Sequence, residues 1–242
     1  MRGGSGRNLI MLMTIIRHHR TDSAAPERAR ELGVDLNSTV GAMASIRTLL
    51  AATRVRDPAL ADHGLRAAHI AAALAEQLGA RGDDVEHAYL GALLHDIGKI
   101  GVHEAILWKP TSLDDDEWTH MRTHPETGHR LIADLVHPDV ASAVLHHHER
   151  LDGAGYPFGV RSSSLPEIVR IVQVADSFDA ITSDRPYEGA RPAASALVEI
   201  RRCAPSQFDP GVVGALEALF DGTSDDVVHL FETPRDTVGL LP

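Results

Sequence analysis

Apolar residues recur every three or four positions through most of the chain, which is the spacing of amphipathic helices. The stretch from Asp57 to Gly79 is typical, because Asp57 can cap a helix, Pro58 suits its first position and Gly79 suits its end. Its apolar positions share one face: Leu60, Ala67, Ile70, Ala71, Leu74 and Leu78. His63 falls on that face too. The pattern therefore predicts a packed helix that carries an imidazole toward the interior.

The same spacing divides the rest of the chain into helices with short breaks. Ser112 and Asp115 predict one helix start through a capping box, and His124 is expected at a helix boundary because a proline follows it. Other helices are predicted over about 37–56, 83–97, 138–148, 166–181, 192–203, 210–220 and 224–231. Strand pairs and internal repeats are not evident. We predict an all-α bundle over 36–242, preceded by an irregular N-terminal extension over 1–35.

Composition narrows the classes of partner. The 242 residues include 23 Lys and Arg against 34 Asp and Glu, which gives a formal net charge of −11. No basic run supplies the phosphate contacts that a nucleic-acid polymer requires, so such a partner is disfavoured. A small anionic substrate needs metal ions or a few cations to reverse the field locally. The single Cys203 excludes an internal disulfide and favours a reducing cytoplasm.

One apolar stretch near the N-terminus resembles a targeting segment. Residues 9–16 are apolar and follow Arg2 and Arg7, as in a signal peptide. The stretch is too short to span a bilayer as a helix, and Arg17 to Arg20 follow it in place of a small-residue cleavage site. We expect a packed or interfacial segment and no transmembrane helix, with a weak membrane or partner contact as the alternative.

Two dense groups of potential metal ligands stand out against this helical background. His95 and Asp96 are adjacent, and about fifty residues later three histidines, His146 to His148, end a predicted helix. Further candidates on apolar faces or at helix ends are His63, His124 and Asp176. Burying so many titratable groups costs several kcal/mol each unless something compensates. Imidazole nitrogens and carboxylate oxygens suit Mn, Fe or Zn, so the pattern predicts a metal site.

Two motifs give the chain a family resemblance. His95-Asp96-Ile97-Gly98-Lys99 resembles the signature of the HD superfamily, and His147-His148-Glu149 with Asp152-Gly153-Ala154-Gly155-Tyr156-Pro157 resembles that of the HD-GYP family. Supporting blocks occur in order over about 40–220. The resemblance implies an all-helical bundle with an interior centre of two or three Fe or Mn ions. It also implies hydrolysis of cyclic di-GMP to pGpG, GMP or both.

The resemblance further implies a division of the ligands between two ions. The first ion would have the ligands His63, His95, Asp96 and Asp176, and the second would have His124, His147 and His148, with Asp96 bridging both. The motif spacing selects His147 and His148 over His146. Two cations about 3.5–4 Å apart can share a hydroxide and direct it in line at phosphorus.

Substrate roles also follow from the resemblance. Lys99 is the candidate to protonate the leaving 3′-oxygen or to stabilise its charge, and Asp96 is expected to act with it. Arg185 would hold a substrate phosphate. Tyr156 would pack against ribose or guanine, and Gly155 would let the backbone approach the substrate. Glu149 and Asp152 are expected to orient ligands or the loop. The other histidines of this region are interpreted as solvated or satisfied in the core: His69, His87, His103, His120, His129, His137 and His229.

Two departures from the family pattern leave alternatives open. Ala59 stands where members with three ions carry a Glu ligand, which favours two ions. Glu188 stands where relatives often place a basic residue, which weakens the case for cyclic di-GMP itself. The alternatives are an HD phosphohydrolase of another cyclic or linear nucleotide, and a dinucleotide-binding signalling module without turnover. A homodimer or a partner signalling protein also stays open.

Overall fold

A computed structural model of the chain describes residues 39–161, 164–184 and 189–221. Over these residues the fold is helical and contains no strand. The helices are α1 (Thr39–Arg56), α2 (Pro58–Gln77), α3 (Asp83–Leu94), α4 (Glu104–Leu107), α5 (Asp115–Met121), α6 (His124–Ile132), α7 (Pro138–His146), α8 (Glu167–Thr182), α9 (Ala193–Cys203) and α10 (Pro210–Asp221). The predicted all-α class is confirmed.

Helix α2 is central, because it packs along both α3 and α8, and α3 in turn packs against α7 and α8. The apolar face predicted for α2 is buried, with Ile70 and Leu74 fully inaccessible to solvent. Small residues such as Ala67 and Ala71 let the neighbouring helices approach closely. Further side chains without exposed area complete one continuous core: Ile46, Leu90, Leu94, Ile132, Val144, Val172, Val174 and Leu216.

Most predicted helix ends agree with the structure, but the predicted capping box was wrong. Asp57 caps α2 by accepting a 3.0 Å hydrogen bond from the Leu60 amide. The real capping box pairs Asp114 with Glu117, two residues after the predicted Ser112 and Asp115. Asp114 and Glu117 each accept a hydrogen bond from the other's backbone amide, so two amides at the helix start are satisfied at once. The short helix α4 was not predicted.

The sequence pattern predicts that Gly98 and Gly101 end the helix that begins at Asp83, but the structure differs. Helix α3 ends at Leu94, and a separate 3₁₀ turn covers Ile97–Gly101. Gly98 is needed here for a different reason, since a Cβ atom would overlap the His124 carbonyl oxygen on α6. The Arg56 guanidinium donates to the carbonyls of Ile100 and Val102, which fixes the turn against α1. The turn therefore holds Asp96 and Lys99 close to α6.

Several predictions lie outside the described residues. These are the extension over 1–35, the helix over 224–231, and the positions of Arg185 and Glu188. The proposed domain boundary near residue 36 thus stays a prediction. Among the described helices, none combines the length and apolar character needed to cross a bilayer.

Candidate metal centre

Five helices and the turns beside them deliver the predicted ligands to one interior point. The seven side chains fall into two adjoining groups: Asp96, His124, His147 and His148, and then His63, His95 and Asp176. In each group every residue offers one ligand atom within 4.8 Å of the others. The structure thus brings together every ligand that the sequence analysis named. The two groups match the predicted division between two ions, except that Asp96 lies in the group of His124, His147 and His148.

The backbone sets the tautomer of three of these histidines. Their Nδ1 atoms each lie near the carbonyl oxygen three residues earlier: His95 and Ala92 at 2.6 Å, His124 and Met121 at 2.8 Å, and His147 and Val144 at 2.8 Å. A carbonyl only accepts, so each Nδ1 carries the proton and each neutral ring leaves a lone pair on Nε2. These lone pairs point into the cluster, which is the state that metal coordination requires.

Asp96 lies between the two groups. Its Oδ1 is 3.2 Å from His124 Nε2, and its Oδ2 is 3.3 Å from His95 Nε2 and 2.6 Å from Lys99 Nζ. The Asp96 side chain is buried, yet Oδ1 accepts no hydrogen bond. An unsatisfied, buried carboxylate oxygen is costly, and a cation beside it would remove that cost. Asp96 thus offers one carboxylate oxygen to each histidine group, and its bridging of two ions stays a prediction.

Two pairs of histidine rings also fit a cation, because their Nε2 atoms face each other. His63 Nε2 lies 3.2 Å from His95 Nε2, and His124 Nε2 lies 3.2 Å from His147 Nε2. Two lone pairs that face each other at this distance repel unless a proton or a cation lies near them. Asp176 Oδ1 adds negative charge at 3.1 Å from His63 Nε2. The donor set therefore fits divalent metal with nitrogen and oxygen ligands.

Electrostatics keep most of the ligands deprotonated. Burial acts to raise the pKa of Asp96, but the nearby Lys99 and His95 outweigh it and hold this pKa well below its usual range. Burial also acts to raise the pKa of Asp176, but hydrogen bonding to His63 together with the nearby His95, His63 and His148 lowers it. Burial lowers the pKa of His148 to about 3 and that of His147 well below its ordinary value. These groups can accept a metal without first losing a proton.

His63 behaves differently, and this leads to a testable pH dependence. Burial would lower its pKa, but hydrogen bonds with Asp176 and Asp179 raise it to about 9. Without metal the ring is therefore protonated at pH 7, so a cation must displace this proton. The metal affinity of the His63 group (His63, His95 and Asp176) is expected to rise with pH up to about 9. The affinity of the His147 group (Asp96, His124, His147 and His148) is expected to change little. Chelator competition at pH 6, 7 and 8 would measure both. Equal pH dependence in the two groups would contradict the prediction.

A supporting carboxylate was missed in the sequence analysis. Asp179 Oδ2 accepts a 2.7 Å hydrogen bond from His63 Nδ1, and Arg66 donates to both Asp179 oxygens at 2.6 and 2.9 Å. Asp179 fixes the His63 ring so that Nε2 faces the cluster. A signal was present, because Asp179 and Arg66 each follow a predicted ligand by three residues on the same helical face.

The Asp179→Asn variant should weaken metal binding without removing a ligand. We expect a loss of roughly 10- to 100-fold in affinity at the His63 group, because the amide holds both the ring and Arg66 less firmly. Asp209→Asn is a matched control, since Asp209 also pairs with an arginine, Arg170, at 2.5 Å but is not among the clustered ligands. Metal titration would compare them, and equal losses in both variants would point to general destabilisation.

The loop after α7 is held by the acidic residue that the sequence analysis assigned to orientation. Glu149 is buried and accepts hydrogen bonds from the amides of Phe158 at 2.8 Å and Val160 at 2.9 Å. Gly155 folds back on this turn so closely that a Cβ atom would lie 2.5 Å from the His148 carbonyl oxygen. Gly155 is therefore required for loop packing, whatever its relation to the substrate. Its predicted substrate contact stays a prediction.

A cavity of about 260 Å³ opens beside the ligands His147 and His148. The Tyr156 ring stacks on His148 with centroids 4.6 Å apart and an interplanar angle of 28°. The Arg122 guanidinium lies 5.5 Å from the Tyr156 ring centroid and also lines the cavity. Arg122 was missed in the sequence analysis and supplies positive charge here. Lys99 lies beside Asp96. Arg185 is outside the described residues.

The other histidines were interpreted as solvated or satisfied in the core, and His229 among them lies outside the described residues. His146 faces Phe158, with ring centroids 5.8 Å apart, and takes no part in the cluster. His69 packs edge-on against Tyr89, but its buried Nε2 has no hydrogen-bond partner among the described residues. His87 and His137, however, form a third potential ligand group with Asp139. They come from different helices, so their meeting could not be read from spacing along the chain.

The comparison with known proteins now decides the family. The family described as HD domain matches residues 47–212, which contain all seven clustered ligands. The chain belongs to the HD domain family. Curated relatives that are named as cyclic di-GMP phosphodiesterases confirm the predicted resemblance to HD-GYP sequences.

Two curated relatives are especially informative. The chain is 44% identical over 157 residues to a cyclic di-GMP phosphodiesterase of Pseudomonas aeruginosa, covering 63% of this chain and 37% of the relative. It is 35% identical over 176 residues to 3'3'-cGAMP-specific phosphodiesterase 3 of Vibrio cholerae, covering 72% of this chain and 38% of the relative. The chain spans half or less of the length of the curated relatives it matches.

A solved structure supports the fold independently. The chain resembles an HDG"Y"P protein from Bdellovibrio bacteriovorus with a TM-score of 0.59 and 21% sequence identity. The match covers 81% of this chain and 68% of the other. At this identity the similarity establishes the HD-type helical bundle alone.

Proposed function

We propose that this chain is a metal-dependent phosphodiesterase that hydrolyses a cyclic dinucleotide, with cyclic di-GMP as the first candidate and pGpG, GMP or both as products. The observation that carries the proposal is the convergence of seven ligand residues, among them the buried Asp96, whose Oδ1 accepts no hydrogen bond from the described residues. Membership of the HD domain family, and relatives named as cyclic di-GMP phosphodiesterases, support the substrate class.

The cofactor would be two divalent ions, with Fe or Mn favoured. His63, His95 and Asp176 would hold one ion, His124, His147 and His148 the other, and Asp96 both. When bound, such a pair lowers the pKa of water and neutralises phosphate oxygens, which lets an acidic protein bind an anionic substrate. Ala59 lies exposed on α2 and offers no further ligand, which supports two ions over three.

The chain's own side chains would bind the substrate and supply a proton. Lys99 Nζ is held 2.6 Å from Asp96 Oδ2 and would protonate or stabilise the leaving 3′-oxygen. Tyr156, stacked on His148, would offer its ring to ribose or guanine. Arg122 would add a cation for a phosphate at the cavity, and Arg185 is predicted to do the same.

The decisive experiment is a hydrolysis assay with the full chain. The protein would be purified anaerobically, loaded with Fe²⁺ or Mn²⁺, and supplied with cyclic di-GMP. We expect metal-dependent release of pGpG or GMP, lost on chelation and restored by metal. Persistence of intact cyclic di-GMP in the metal-loaded protein would contradict the assignment.

A panel of substrates separates the main alternative. Relatives specific for 3'3'-cGAMP are similar to this chain, and Glu188 replaces an expected basic residue, so another cyclic or linear nucleotide is the second candidate. Faster turnover of 3'3'-cGAMP or a linear dinucleotide than of cyclic di-GMP would favour it. Tight dinucleotide binding without product would favour the non-catalytic module. A cytoplasmic location, and a homodimer or partner signalling protein, stay predictions from the sequence.

A further inference from the structure

A second histidine cluster lies at the opposite ends of two helices that carry catalytic ligands. His87 is on α3, and His137 and Asp139 are at the start of α7. Asp139 Oδ2 lies 3.4 Å from His137 Nδ1 and 3.9 Å from His87 Nδ1. The two rings stack with centroids 4.1 Å apart and an angle of 12°. The three residues offer ligand atoms within 4.8 Å of one another.

The His87 ring is not satisfied in this environment. It is 7% exposed, and its buried Nδ1 has no hydrogen-bond partner. A buried nitrogen without a hydrogen-bond partner lowers the stability of the folded protein. Nδ1 faces the Asp139 carboxylate without reaching hydrogen-bond distance. The arrangement thus leaves room for a cation between the ring and the acid.

The surrounding charge favours a cation over an anion. Asp83 and Asp84, in the first turn of α3, act electrostatically on His87 together with Asp139. Asp84, His87 and Asp139 line one side of a cavity of about 420 Å³. Among the residues that the structure describes, no lysine or arginine lines this cavity. A negatively charged ligand would therefore be repelled, whereas a divalent ion would be attracted.

We propose that His87, His137 and Asp139 form a separate binding site for a zinc-type divalent ion. Two imidazole nitrogens and one carboxylate oxygen are a common zinc ligand set, with water available for the fourth position. A metal lies in the plane of each imidazole that binds it, so the two rings cannot stay parallel. The His137 side chain is 31% exposed, so its ring would turn to bind the ion, and its Nδ1 would then give up the hydrogen bond from the Asp139 amide.

Such an ion would connect the ends of α3 and α7 that lie away from the catalytic ligands. Along α3, His87 precedes His95 by eight residues, about 12 Å of helix. Along α7, His137 precedes His147 by ten residues. The site is therefore distinct from the catalytic centre but shares its supporting helices. We expect its occupation to raise the thermal midpoint of the protein.

The test is a difference in zinc content, because the cluster of seven ligands around Asp96 would also bind zinc. His137→Asn is suitable, since His137 caps α7 by accepting from the Asp139 amide and Asn can replace that cap. His103→Asn is a matched control, because His103 caps α4 in the same way at the same 3.3 Å distance but lies in no ligand group. Asp139→Asn keeps the side-chain shape and tests the site independently.

At equal free zinc, wild type and His103→Asn should bind one ion more than His137→Asn and Asp139→Asn. Zinc should also raise the melting temperature further in the first pair than in the second. Equal zinc content and equal thermal shifts in all four proteins would overturn the proposal. If His137→Asn fails to fold, as judged by circular dichroism, the comparison of Asp139→Asn with wild type decides the matter. The readout does not depend on phosphodiesterase activity, so this site and the proposed function can fail separately.

Discussion

The Asp96→Asn variant should lose phosphodiesterase activity by about 10³-fold or more, since a metal pair supplies several kcal/mol of transition-state stabilisation. Asp96 is the one clustered carboxylate whose two oxygens face different histidine groups, with His124 on one side and His95 on the other. The amide keeps the shape of the side chain but removes the charge that would join two cations. Steady-state turnover of cyclic di-GMP, together with metal content, would measure the effect.

A matched control is available on the surface. Asp134→Asn makes the same chemical change at an exposed position at the end of α6 and should leave kcat and metal content unchanged. If Asp96→Asn retains more than a tenth of wild-type activity with two bound ions, Asp96 does not bridge them and the arrangement of the centre must be revised.

The His147→Ala variant should lose one of the two ions and most of the activity. His147 is fully buried beside His124, and its Nε2 is directed into the cluster by the hydrogen bond from Nδ1 to Val144. Removing it leaves the second ion with too few protein ligands, whereas the His63 group stays intact. We expect about 10²- to 10³-fold lower turnover, because the phosphate loses one of its two cations.

The neighbouring histidine gives a sharp control for this prediction. His146→Ala removes an imidazole one residue earlier, but that ring faces Phe158. Metal analysis should find two ions in His146→Ala and about one in His147→Ala. The reverse pattern would mean that the register of the three adjacent histidines is shifted by one residue from that described above.

The fold and the metal ligands could be predicted largely from local sequence patterns. His63 lies on an apolar helical face, and His124 begins a helix before a proline, so the spacing of neighbouring residues was enough to place them. The same reasoning erred at Ser112, because several acidic and hydroxyl residues in a row offer competing caps and only the packed structure selects Asp114.

Contacts between distant segments could not be predicted in this way. Asp179 meets His63 across 116 positions of sequence, and His87 meets His137 between two helices. The sequence around each of these residues does not show its contact, because that contact depends on which helix packs beside it. The family resemblance supplied the division of the ligands between two ions, but it carried no information about the third histidine group.

The most direct test of the central claim is anomalous X-ray diffraction from crystals of the Mn- or Fe-loaded protein. We expect two peaks about 3.5–4 Å apart, one beside His63, His95 and Asp176 and one beside His124, His147 and His148, with Asp96 between them. A single peak, or no peak within this cluster, would contradict the two-metal phosphodiesterase.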